Sequence, residues 1–356
     1  MLLKNEGDLL PLDLGGDVKN VTVVGPLADD ARSVLGGWAM KGRADEATSI
    51  LSGLREVLPS NVNLQYEPGT DVRSDDRSGI AAAVTAAEGA DVVVLVVGED
   101  WGMSSEANNR VSLDLPGTQN ELARAIVATG KPVVAVLVNG RPLSVQWLDD
   151  NVGAIVETWF LGNESGHVVA DVLTGSVNPS GKLPVTFPRS VGQVPIYYGT
   201  RKSGRPHVPN TQYTLRYIDS PNTPLYPFGY GLSYTSFEYS DIALDRSTLS
   251  HDGSLTISAT IANTGSRAGT EIVQLYTNDP VASVTRPVRE LKGFKRLSLS
   301  PGESRRVAFT ITAMDLAFHD ALFNKVAEAG SFNVYIAPSS VGGLKTSFEL
   351  DADWRP

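Results

Sequence analysis

The chain has 356 residues, 42% of them hydrophobic and 20% charged, which is typical of a globular protein of about two domains and excludes a fibrous repeat or a disordered tail. Its longest apolar run, residues 92–97, is far shorter than the roughly 20 residues that cross a bilayer, so no membrane span or membrane partner is expected. Forty acidic and thirty basic residues give a net charge of −10, so DNA and RNA are not expected as partners.

Short apolar runs alternate with helix-like segments through the first part of the chain. The apolar runs indicate buried strands and comprise residues 21–24, 92–97, 133–138 and 154–156. Helical spacing is found in residues 80–87, 118–129, 143–148 and 164–173. Strands separated by helices predict a largely parallel sheet covered by helices, so this part is expected to have an α/β fold.

From about residue 237 the apolar residues alternate with period two, as in residues 255–261, 307–311 and 332–336. This alternation predicts an all-β domain, a sandwich of two antiparallel sheets. The preceding segment, residues 201–236, is rich in Pro, Gly and Tyr and indicates a packed connector. We therefore expect an α/β domain at residues 1–200, the connector at 201–236 and the β-sandwich at 237–356.

Several kinds of chemistry lack a supporting pattern. The chain has no cysteine, and its four histidines lie far apart in the sequence, so no metal site is expected. Neither a phosphate-binding G-x-x-x-x-G-K-[ST] motif nor the G-x-S-x-G motif of serine esterases is present. Acid–base work by carboxylates is the chemistry that remains.

Polar residues are concentrated after the run 92–97. Ligands of parallel α/β sheets bind outside the carboxyl ends of the strands, which makes this segment the place to search for a site. It contains three carboxylates, Glu99, Asp100 and Glu106, together with Trp101 and Arg110.

The segment V-V-G-E-D-W-G-M-S-S-E-A-N-N-R-V-S-L-D-L-P-G-T-Q-N-E-L resembles the acid/base region of glycoside hydrolase family 3. Further matches to this family are L-L-K-N-E, V-N-G-R-P-L, N-P-S-G-K-L-P-V-T-F-P-R-S-V-G-Q-V-P and L-Y-P-F-G-Y-G-L-S-Y-T-S-F. The likeness covers nearly the whole chain and is to the bacterial periplasmic β-glucosidases of the family.

The resemblance implies an (α/β)6 sandwich followed by a fibronectin type III-like β-sandwich. It also implies retaining hydrolysis of terminal β-glucosyl residues from a β-glucoside or oligosaccharide, without a cofactor. The family suggests a periplasmic or secreted protein. The first residues show no signal-peptide pattern, which leaves a cytoplasmic location open.

The resemblance also implies a role for Glu106. The family's acid/base glutamate lies in a pattern like E-G-x-D-R, which E-A-N-N-R at residues 106–110 matches. This sequence departs from the pattern by having Ala107 in place of Gly and Asn109 in place of Asp. Glu106 is accordingly expected to be the general acid/base.

The neighbours of Glu106 each have two interpretations. Trp101 and Met103 either form an apolar wall beside the sugar or are simply packed. Arg110 either orients the acid, and so contributes to substrate binding, or anchors the loop. Glu99 is expected to pair with an arginine such as Arg110 or Arg141 rather than to take part in catalysis.

The family's nucleophile is an aspartate on an N-terminal barrel, and this sequence has no such barrel. We therefore expect the chain to be the last part of a longer enzyme, with the barrel or a separate chain supplying the nucleophile, and to be inactive alone. The alternative is a non-catalytic carbohydrate-binding or protein-interaction module. The face that would dock the barrel is expected to be apolar and to favour a homo-oligomer.

Overall fold

The computed structural model describes residues 1–209 and 211–356, which divide into two units. Unit 1 comprises Met1–Pro179 and Phe187–Val194. Unit 2 comprises Ser180–Thr186 and Pro195–Pro356.

Unit 1 is built on a six-stranded sheet. Its strands are β1 (Leu2–Asn5), β2 (Asn20–Val24), β3 (Asn63–Glu67), β4 (Val92–Gly98), β5 (Val133–Val138) and β6 (Ala154–Glu157). Its helices are α1 (Ile50–Val57), α2 (Ile80–Glu88), α3 (Gln119–Val127), α4 (Gln146–Asn151) and α5 (Ser165–Thr174). The strand order is β1-β6-β5-β4-β2-β3, with β1 antiparallel to β6 and all other neighbours parallel. The predicted α/β architecture is thus confirmed.

The three strands that carry the candidate site lie next to one another in the centre of this sheet. Every residue of β4, β5 and β6 is buried, so both faces of these strands are covered. Runs of Val, Leu and Ile suit this environment because branched side chains pack well on a pleated surface. Since the strands are parallel, their carboxyl ends meet at one edge of the sheet.

Three helices begin later than the sequence pattern suggests, α3 by one residue, at Gln119. Helix α4 starts at Gln146 rather than at residue 143. Helix α5 starts at Ser165, and the side chain of its N-cap residue Glu164 makes no capping hydrogen bond. That carboxylate instead binds Nδ1 of His167 at 2.6 Å, which removes it from the capping position.

Unit 2 is a β-sandwich. Its strands are β7 (Phe237–Leu244), β8 (Thr248–Leu249), β9 (Ser254–Asn263), β10 (Gly269–Asn278), β11 (Glu290–Leu299), β12 (Ser304–Thr312), β13 (Phe318–His319), β14 (Lys325–Val326), β15 (Gly330–Ala337) and β16 (Leu344–Leu350), with a short helix α6 (Ala313–Leu316). One sheet has the order β11-β10-β15-β16-β8, a second has β12-β9-β7, and β13 pairs with β14. In β9, Leu255, Ile257, Ala259 and Ile261 are all buried, as the period-two pattern predicts.

A membrane-spanning helix would need greater length and more continuous apolar character than any helix in residues 1–209 and 211–356 has.

Candidate active site

The candidate site lies at the carboxyl edge of the sheet in unit 1. Strand β4 ends at Gly98, which pairs with Val138 at the end of β5. Gly98 has φ +145°, and a Cβ there would lie 1.9 Å from the carbonyl oxygen of Val138. Glycine is therefore required where the chain leaves β4. Residues 99–118, here called the β4–α3 loop, follow without a helix or strand, and loops of this length in compact domains are commonly functional.

Glu99, the first residue of the β4–α3 loop, is fully buried and pairs with two arginines. Its Oε1 lies 2.7 Å from Nη1 of Arg110 and 3.1 Å from Nε of Arg141. The prediction that Glu99 pairs with an arginine is confirmed, and both candidate arginines take part. A buried carboxylate held by two guanidinium groups is suited to anchoring a loop.

Arg141, which follows β5, also binds the backbone of the loop. Its Nη2 donates to the carbonyl oxygen of Asn108 at 2.7 Å and to that of Met103. Arg110 anchors a later part of the loop, because its Nη2 donates to the carbonyl oxygen of Asp114 at 2.8 Å. The path of the β4–α3 loop is thus fixed largely by these two arginines.

Glu106 lies at the tip of a turn between the residues that Arg141 holds. The amide of Asn108 donates to the carbonyl oxygen of Ser105 at 3.1 Å, which closes a four-residue turn with Glu106 in second position. Glu106 is exposed, and its carboxylate forms no hydrogen bond or ion pair within residues 1–209 and 211–356. This carboxylate is therefore accessible to a molecule that binds from outside.

Ala107, the third residue of this turn, has φ +60°. A positive φ at that position is the feature of type II turns, where glycine is preferred because it has no Cβ. The turn geometry thus gives a physical reason for a glycine after the glutamate in the pattern E-G-x-D-R, and Ala107 adopts the left-handed conformation at some cost.

Asp100 and Trp101 are tied to neighbouring segments. Asp100 forms a two-point ion pair with Arg73. The guanidinium carbon of Arg32 lies 4.3 Å from the ring centre of Trp101, and the amide of Trp101 donates to Oγ of Ser33 at 3.2 Å. Arg32 covers part of the indole, and 43% of Trp101 is exposed.

Two glycines allow other segments to approach the loop just before Glu106. A Cβ on Gly37 would lie 2.6 Å from Cβ of Ser105, and a Cβ on Gly140 would lie 2.4 Å from Oγ of Ser104. Trp38 and Met40, one and three residues after Gly37, are 65% and 90% exposed. Apolar side chains are therefore presented to solvent from a segment that contacts the β4–α3 loop.

Gln119, which no pattern in the sequence singled out, is fully buried and links the loop to β4. Its Oε1 accepts from the amide of Gly98 at 2.8 Å, and its Nε2 donates to the carbonyl oxygen of Gly98 at 2.9 Å. The same nitrogen donates to the carbonyl oxygens of Val72 and Pro116, each at 3.2 Å. The signal in the sequence that could have identified Gln119 was a polar residue at the start of an amphipathic helix, on the face that is buried.

Glu157, at the end of β6, is a second residue that was not singled out. It is fully buried, its Oε1 accepts from the amide of Trp159 at 2.7 Å, and its Oε2 accepts from Nδ2 of Asn139 at 3.3 Å. Burial raises the pKa of this carboxyl group to about 8, against the lowering effects of those hydrogen bonds and of the positive charge of the Met1 amino group. A carboxyl residue that continues an apolar strand was the signal in the sequence.

Metal binding has no counterpart in the residues described. Across residues 1–209 and 211–356 no three His, Cys, Asp or Glu side chains are grouped so as to hold a metal ion.

Comparison with family models gives two matches. The Glycosyl hydrolase family 3 C-terminal domain matches residues 1–234, and the Fibronectin type III-like domain matches residues 271–340. The first match covers more than half of the chain and contains the whole of the candidate site.

Curated relatives and solved structures agree with these matches. The chain is 44% identical to the periplasmic β-glucosidase of Salmonella typhimurium over 98% of its length and 48% of that protein. It is 41% identical to a β-xylosidase of Formosa agariphila, covering 97% of the chain and 48% of that protein. The crystal structure of a β-glucosidase from Listeria innocua in complex with isofagomine matches with a TM-score of 0.92 and 38% identity, covering 99% of this chain and 48% of that one. The chain thus spans about half the length of the curated relatives it matches.

Proposed function

Because the chain belongs to glycoside hydrolase family 3, we propose that it supplies the general acid/base, Glu106, to the active site of a retaining β-glucosidase. The observation that carries this proposal is the contrast among the three carboxylates at the start of the β4–α3 loop. Glu99 is held by two arginines and Asp100 by Arg73, whereas Glu106 is exposed and has no partner among the described residues.

The proposed reaction has two steps. Glu106 donates its proton to the glycosidic oxygen while a carboxylate nucleophile attacks the anomeric carbon, so that the bond to the leaving alcohol breaks and a glycosyl–enzyme ester forms. Glu106 then removes a proton from water, whose oxygen attacks the same carbon and releases the nucleophile. The sugar is proposed to be a β-glucoside on the basis of the relatives' names.

The second carboxylate is proposed to lie on the part of the longer protein that this chain does not match. Retaining enzymes hold their two carboxyl groups about 5–5.5 Å apart. Glu99 and Asp100 are each occupied by arginines, which disfavours both as nucleophiles. The exposed side chains of Trp38 and Met40 are proposed to pack against the missing part, and we expect the isolated chain to lack activity.

The Salmonella typhimurium relative is called periplasmic, and this supports a periplasmic location for the present protein as well.

A chimeric enzyme tests the role of Glu106. The half of the Salmonella typhimurium protein that has no counterpart here is joined in front of this chain, and hydrolysis of aryl β-glucosides is measured. We expect the chimera to be active and Glu106→Gln to lower kcat/KM by about 10²–10⁴-fold for substrates with poor leaving groups. The loss should be small for 2,4-dinitrophenyl β-glucoside, whose leaving group needs no proton.

Glu88→Gln is the matched control, because Glu88 is exposed at the end of α2, outside the candidate site. It should leave kcat/KM unchanged for both substrates. An inactive chimera, or an equal loss with good and poor leaving groups in Glu106→Gln, would contradict the proposed role. The first result would favour the alternative of a non-catalytic module.

A further inference from the structure

We propose that Arg141 is a positioning residue for Glu106, fixing both ends of the turn that carries it. This inference rests on the proposed function of Glu106. It assigns to Arg141 no contact with substrate and no proton transfer.

The contacts of Arg141 enclose the turn. Its Nη2 donates to the carbonyl oxygens of Met103 and Asn108, which lie on either side of residues 104–107. Its Nε faces Glu99 at 3.1 Å from Oε1 and 3.3 Å from Oε2. One rigid, planar group therefore links the buried base of the β4–α3 loop to both ends of the turn that carries Glu106.

Arg141 is itself held in place from β5 and β6. Nδ2 of Asn139 donates to the carbonyl oxygen of Arg141 at 2.9 Å and also contacts the buried Glu157 at 3.3 Å. The adjacent Gly140 lies so close to Ser104 that a Cβ would reach 2.4 Å from its Oγ. The backbone at Arg141 is thus fixed relative to the end of the sheet, Glu99 holds the guanidinium, and the guanidinium in turn holds the turn.

The expected consequence concerns proton donation. Displacing a catalytic carboxyl group by about 1 Å from its working position can slow the reaction roughly 10²-fold. A lysine at position 141 keeps the positive charge, but it lacks the planar fork that reaches Glu99 and both carbonyl oxygens together. The loss of rate in Arg141→Lys should therefore be larger for substrates whose leaving group needs a proton from Glu106.

The test uses the active chimera. Arg141→Lys should lower kcat/KM by about 10–100-fold for a poor leaving group and by less than about threefold for 2,4-dinitrophenyl β-glucoside. In a Glu106→Gln background the same substitution should cause no further loss, because the group that it positions is gone. In the isolated chain, amide exchange of Asn108 should become faster.

Arg73→Lys is the matched control. Arg73 anchors the same loop through Asp100, away from the turn, and the control should change neither the dependence on the leaving group nor exchange at Asn108. Circular dichroism checks folding. If Arg141→Lys is unfolded, Arg141→Gln, which retains a planar donor of shorter reach, is assayed by the same measurements with the same expectations.

Three results would overturn the inference: an equal loss for both leaving groups, a full loss that persists in the Glu106→Gln background, or the same behaviour in Arg73→Lys. If Glu106→Gln behaves as proposed and Arg141→Lys does not, only the positioning role fails. If Glu106→Gln itself shows no dependence on the leaving group, the proposed function fails and the positioning role fails with it.

Discussion

Glu99 and Glu157 are both fully buried at the carboxyl edge of the sheet, on either side of β5, yet they have different partners. Two guanidinium groups contact Glu99, whereas Glu157 receives hydrogen bonds from a backbone amide and from Asn139, and its cationic neighbour is the buried amino group of Met1. Burial alone therefore does not determine what a carboxyl group does at this edge. Glu99 is held in ion pairs by two arginines, whereas burial raises the pKa of Glu157 to about 8.

The largest effect is expected from removing the charge of the anchor. Glu99→Gln leaves Arg110 and Arg141 without their shared carboxylate, at side-chain exposures of only 15% and 20%. Breaking a buried ion pair by removing one partner costs about 3–5 kcal/mol, so the free energy of unfolding should fall by about that amount. Urea unfolding of the isolated chain measures it.

The exposed Glu88→Gln serves as the control for this loss and should stay within about 0.5 kcal/mol of the parent chain. A loss below about 1 kcal/mol in Glu99→Gln would show that the arginines do not depend on Glu99 and would remove the contrast with Glu157.

Glu157→Gln should have the opposite sign. The folded pKa of Glu157 is raised to about 8 from 4.5, so the folded chain keeps a proton that the unfolded chain releases above pH 4.5. The stability that this group contributes is complete below pH 4.5 and declines as the pH rises to 8. Glutamine stays neutral and can accept the hydrogen bond from Trp159, so the pH-dependent advantage of the variant over the parent should rise from about zero at pH 4.5 to roughly 3 kcal/mol at pH 7.

Urea unfolding at several pH values from 4.5 to 8 measures this gain. The difference between variant and parent should grow with pH, whereas Glu88→Gln should give a flat difference over the same range. A difference for Glu157→Gln that stays constant with pH would mean that Glu157 is ionised when buried.

The buried centre of the sheet was readable from the sequence because its strands are apolar along their whole length. Strands β2, β4, β5 and β6 correspond to the four predicted runs. Strand β3 was not predicted, because it lies at the edge of the sheet and none of its residues is fully buried, so it leaves no apolar run.

The candidate site was predictable to the extent that it depends on side-chain charge. An arginine partner for Glu99 follows from the cost of burying a carboxylate alone, and the structure confirms it. The backbone carbonyls that Arg141 binds depend on the path of the β4–α3 loop, about which the residue types in the loop carry no direct information. The burial of Glu157 likewise depends on what packs over the end of β6.

The smallest effect is expected at the tip of the β4–α3 loop. The tip is exposed, whereas the base of the loop at Glu99 is buried. Ala107 has φ +60°, a conformation that costs a residue with a Cβ about 1–2 kcal/mol. Glycine has no Cβ and avoids this cost, but it loses more conformational entropy on folding. Ala107→Gly should therefore stabilise the chain by up to about 1 kcal/mol in urea unfolding. Ala82→Gly, on the exposed surface of α2, should instead destabilise it by about 1 kcal/mol. If both substitutions destabilise the chain equally, the turn at Glu106 does not hold the left-handed conformation in solution, and the loop tip is less ordered than its base.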